Sequence, residues 1–164
     1  MKLPGARLSE GARNFFFTTA AFAVIGAVFA VEITMRLLER PIVGGPIDGL
    51  TVWVVACGAV GGAIGFVSVC PRWFGHNGLR GWLCMLGGGL ALTLTATVIG
   101  GTLILPYYGT MFAPFQFALA VISDPTLGWI WGAMIICAHK LMGVWREEQV
   151  QASASTVPKA LARG

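Results

Sequence analysis

The residues of this chain that could do chemistry are few and scattered. Its two histidines are His76 and His139, and its four cysteines are Cys57, Cys70, Cys84 and Cys137. Imidazole and thiol groups gathered at one depth could hold zinc, copper or haem. The spacing argues against it. Cys137 and His139 sit two positions apart, so a helix sends their side chains to nearly opposite sides. The sequence has no CxxC, CxxCH or HxxxH, and we expect no metal and no cofactor. The cysteines lie in or beside apolar runs and read as reduced thiols that behave as small hydrophobes. Hydrolases, phosphotransferases and proteases need positioned acid, base or metal groups. Here the only aspartates are Asp48 and Asp124, and there is no Walker loop and no GxSxG. The expectation is a non-catalytic protein.

Glu32 and Arg36 form the one ionisable constellation beside a long apolar run. An ionisable group inside a bilayer is a functional hypothesis by default, so these two are the candidate ion or proton site. Their i,i+4 spacing equally suits an ion pair at the outer interface. A second pattern is steric. Gly58/Gly62 and Gly61/Gly65 are overlapping small-xxx-small pairs, which let two helix backbones approach closely. They predict helix packing within the chain or contact with a partner. Thr93, Thr95, Thr97 and Thr102 lie among the glycines 87–89 and 100–101. Threonine can bond back to its own helix and bend it.

The elements that must position these residues follow from the solvent. The hydrophobic fraction is 56% and the charged fraction 11%, against about 25% charged in an ordinary soluble domain. From Pro41 to His139 only Asp48, Arg72, Arg80 and Asp124 carry formal charge. Lipid must surround most of this chain. A spanning helix needs roughly 20 apolar residues, which predicts an all-α integral membrane protein, a four-helix transmembrane bundle. The spans fall at about 15–38, 50–70, 81–105 and 127–145, within one bundle of residues 15–145. Residues 1–14 read as a cytoplasmic N-terminal segment and 146–164 as a mobile cytoplasmic tail. Prolines fall between spans or at their edges, where a missing N–H costs least in lipid. Tryptophans mark the span ends.

Two segments leave alternatives open. Phe112, Phe115, Leu119 and Ile122 recur at helical spacing in the connection 107–123. It suits a short interfacial helix, a re-entrant segment, or a fifth span. The basic N-terminus, first apolar run and Val28-Phe29-Ala30 resemble a signal peptide, although a retained anchor is the expectation.

Net charge is +4, but the basic residues lie at the ends and in the 71–80 loop rather than in one patch. That is the positive-inside pattern, not a nucleic-acid footprint. It predicts both termini in the cytoplasm of a bacterial inner membrane, with Arg36 and Arg40 counting against. A multi-pass protein with glycine faces and no reactive cluster suggests an accessory, assembly or stabilising subunit. Its expected partners are the lipid bilayer and other membrane subunits or further copies of itself. The alternative is a small oligomeric carrier or channel, for which only the threonines, Glu32 and Gln116 could line a polar path.

Overall fold

A computed structural model describes residues 9–39 and 48–161, with side chains through Ser153. Five helices follow in order: α1 Glu10–Leu37, α2 Gly49–Trp73, α3 Gly78–Ile104, α4 Tyr108–Ser123 and α5 Pro125–Leu161. Four of them, all but α4, are long and apolar enough to cross a membrane. Arg40 and the segment 41–47, with Pro41 and Pro46, lie outside the described residues.

The starts of the helices obey local chemistry. Ser9 caps α1 by accepting from the Ala12 N–H, and Asp48 caps α2 by accepting from Thr51 N–H at 2.8 Å. Each bond satisfies an amide that the first turn leaves unpaired. α5 begins with Pro125, whose missing N–H costs nothing there, and Asp124 accepts from the Thr126 N–H at 3.0 Å. Its helix continues to Leu161, beyond Trp145, where the sequence reading began a tail. α2 likewise runs two residues past Pro71 before ending at Trp73.

The bundle runs up-down-up-down. Ser9 and Gly11 at the start of α1 meet Glu148 of α5, while Arg36 in the last turn of α1 reaches Asp124, just before α5. The three helices α1, α2 and α3 pack side by side with α2 in the middle, and α5 docks mainly on α1. The buried core gathers Phe22 of α1, Phe66 and Cys70 of α2, Leu92 of α3 and Met142 of α5. Stacked rings extend it: Phe22 lies 4.9 Å from Phe66, and Phe15 lies 5.5 Å from Trp145.

α4 does not cross the bundle. Its 16 residues span about 24 Å, less than a hydrocarbon core of roughly 30 Å. It starts directly after α3 and ends at Asp124 beside the last turn of α1, so both of its ends sit at one end of the bundle. The turn into it is tight. Tyr107 has φ 67° and ψ −63°, and the Tyr108 N–H donates to Pro106 O at 2.9 Å. This is a γ-turn of the strained hand. The reversal lays α4 back against α3, with Gly109 in close contact with Gly101 and the Thr102 and Thr110 hydroxyls 2.7 Å apart.

Candidate functional site

The glycine pairs of α2 serve two different neighbours. A methyl group added at Gly62 would strike the Phe22 carbonyl oxygen of α1, and one at Gly58 would meet Gly26 O and Ala30 Cβ at 2.5 Å. One at Gly61 would meet Ala96 O of α3 at 2.6 Å, and one at Gly65 would meet Ala96 Cβ at 2.9 Å. All four glycines are buried. Gly58/Gly62 therefore forms the seam with α1, and Gly61/Gly65 the seam with α3.

These tight seams draw three helices together on one side and leave a space on the other. Between that wall and α4 lies a cavity of ≈420 Å³. Gly26, Gly58, Gly62 and Gly100 give it a smooth backbone wall, while Phe112, Gln116 and Phe117 of α4 cover it. Trp131 of α5 closes the deep end, 5.6 Å from Phe117 and 5.7 Å from Phe22. Leu37, Leu50 and Leu105 form the rim at the Arg36 end of the bundle. Among the described residues no Asp, Glu, Lys, Arg or His lines it.

The polar groups of the cavity are not equivalent. Thr93 and Thr97 line it, but each hydroxyl donates to the carbonyl four residues back, Thr93 to Gly89 O and Thr97 to Thr93 O, both at 2.7 Å. Thr95 and Thr102 bond back in the same way at 2.8 and 2.6 Å, though neither lines the cavity. The half-buried Gln116 side chain has no hydrogen-bond partner among the described residues. The sequence offered Gln116, with the threonines and Glu32, as a group that could line a polar path in a carrier or channel. That it faces the cavity depends on the α3–α4 reversal, which no residue pattern announces.

Glu32 and Arg36 lie elsewhere. Arg36 Nε donates to Glu32 Oε1 at 2.6 Å, and its Nη2 reaches Asp124 Oδ2 at 3.5 Å. The Arg36 side chain is 37% exposed, and neither residue lines the cavity. The three groups link α1 to the α4–α5 junction near the rim. Exposed pairs of this kind contribute about 0–1 kcal/mol.

The histidines come together at the opposite end without forming a ligand set. Gly75 N–H donates to His139 Nδ1 at 3.3 Å, so Nε2 carries the proton and donates to His76 O at 3.1 Å. Both ring nitrogens of His139 are thus occupied. His76 Nδ1 is buried without a partner among the described residues. Among the described residues no three His, Cys, Asp or Glu side chains are placed to share a metal ion. Cys57 and Cys70 are buried free thiols, and Cys137 is exposed on the bundle surface.

No protein-family model, curated protein or solved structure matches this chain.

Proposed function

We propose that this chain is a non-catalytic, multi-pass subunit of a larger bacterial inner-membrane complex, contributing accessory or stabilising contacts. One observation carries the reading. Leu79, Leu83, Leu86, Leu90 and Leu94 of α3 are all more than half exposed, from 55% to 80%. They follow one another at three or four residues, the repeat by which helices interdigitate knobs into holes. The glycine seams are turned inward, so a partner helix would meet leucines rather than glycines. Reactive groups play no part in this surface.

Mild solubilisation of native membranes, followed by native electrophoresis and mass spectrometry, tests the proposal. Unlike subunits should co-migrate with the chain in fixed ratio. Leu86→Ala combined with Leu90→Ala should reduce their recovery while leaving the melting temperature of the isolated chain unchanged. A chain that migrates only as monomer or homo-oligomer overturns it. A small carrier is the second reading, and the cavity beneath α4 favours it.

A further inference from the structure

We propose that the cavity beneath α4 binds one neutral lipid, its hydrocarbon part against the glycine wall and an uncharged carbonyl or hydroxyl group hydrogen-bonded to Gln116. The volume of ≈420 Å³ falls within the roughly 300–1,000 Å³ of small-molecule sites. Charge decides the class of ligand. With no ionisable Asp, Glu, Lys, Arg or His in the lining among the described residues, an ionic headgroup drawn inside would lose its hydration and find no counter-charge there. Hydrogen bonding decides the rest. Thr93 and Thr97 have spent their protons on their own helix, whereas among the described residues the Gln116 amide and the Thr34 and Tyr108 hydroxyls, which also line the cavity, are unspent. Tyr108 is mostly exposed at the start of α4 and Thr34 lies near the last turn of α1, which leaves Gln116, in the middle of the covering helix, as the group over the glycine wall. An amide both donates and accepts, so it can serve a ligand carbonyl through its NH2 or a ligand hydroxyl through either end. Phe112, Phe117 and Trp131 offer ring faces to a flat or unsaturated body. Leu37, Leu50 and Leu105 make the rim apolar, which suits entry of such a ligand from the bilayer. The inference does not rest on the subunit reading, since the cavity belongs to the single chain.

Two sources share this chemistry, a prenylated quinone and a diacylglycerol. The full chain is placed in phosphatidylcholine nanodiscs containing a few per cent of one or the other, then released for native mass spectrometry. One of the two should stay bound at one molecule per chain, and which one does identifies the source. Thr97→Phe puts a ring into the cavity at a residue whose hydroxyl bonds only within α3, and should abolish retention. Gln116→Leu, of similar size, should weaken it roughly threefold to tenfold, the range for one hydrogen bond. Retention of neither neutral lipid by the wild-type chain overturns the proposal. So does equal retention by wild type, Thr97→Phe and Gln116→Leu, which would place the lipid on the outer surface. Circular dichroism melts confirm that each variant is folded, and if Thr97→Phe does not fold, Gln116→Leu alone decides.

Discussion

At the scale of single residues, the molecule depends on atoms that are missing. Gly62 sits where any Cβ would meet the Phe22 carbonyl, and the nearest atoms beyond it are Phe22 C at 2.9 Å and Gly26 Cα at 3.4 Å. All of these are backbone, so relief requires α1 and α2 to separate. Gly62→Ala should cost about 1–3 kcal/mol, the usual range for overpacking, even though alanine favours the helix. In lipid no hydrophobic force offsets the lost contact, because the surrounding tails are as apolar as the helix. Gly132 of α5 is the contrast, with nothing within 4 Å of its added methyl. Gly132→Ala should be neutral or stabilising by roughly 0.5–1 kcal/mol. Thermal and detergent-denaturation curves of the two variants read this directly; equal behaviour would mean the seam is not tight. The two overlapping glycine pairs were legible in the sequence, because spacing alone marks a small-residue ridge. Which ridge meets which helix was not legible, since that depends on how α1 and α3 flank α2. Val60, on the opposite side of α2, is 42% exposed and serves as a lipid-facing control.

At the scale of elements, the long apolar runs were easy to read and the short one was not. The span read at 50–70 is the helix Gly49–Trp73, and the one at 81–105 is Gly78–Ile104. Length and apolarity suffice for that, because lipid forces every backbone group into a helix. The stretch 107–123 obeys the same composition, yet it lies across one end of the bundle. Its course is set by a single backbone reversal at Tyr107, and side-chain patterns carry no record of it. A non-glycine residue at φ 67° and ψ −63° stores on the order of 1–3 kcal/mol. Tyr107→Gly should therefore raise stability by about 1 kcal/mol or more, seen as a higher melting midpoint and slower amide exchange in the first turn of α4. Tyr107 is 85% exposed, so little packing is lost with the ring. A lower melting point would show that the phenol anchors α4 at the interface and outweighs the backbone strain.

At the scale of the whole molecule, the two ends of the bundle carry opposite balances of charge. Arg13, Arg72, Arg80, Lys140 and Arg146 belong to the end where α1 starts and α2 meets α3. Arg146 there donates to Phe74 O at 3.3 Å and Pro71 O at 3.4 Å, and Lys140 lies 5.8 Å from the Trp82 ring centre. The other end holds Glu32, Glu39, Asp48 and Asp124, and among the described residues Arg36 is its only Lys or Arg. Arg36 is bound to two of those acids, but the orientation rule counts Lys and Arg and gives acidic neighbours little weight. Counted that way, we propose that the end where α1 starts faces the cytoplasm. The test is cysteine accessibility in intact cells, on a background with Cys57, Cys70, Cys84 and Cys137 replaced by alanine. Ser123→Cys, at the end of α4, should react with a membrane-impermeant maleimide. Asn77→Cys, in the turn between α2 and α3, should react only after the cells are opened. The reverse pattern would invert the protein, with Arg36 then the only described cation on the cytoplasmic side. It would also turn the rim of the cavity toward the cytoplasmic leaflet, so the same labelling decides from which leaflet a lipid would reach Gln116.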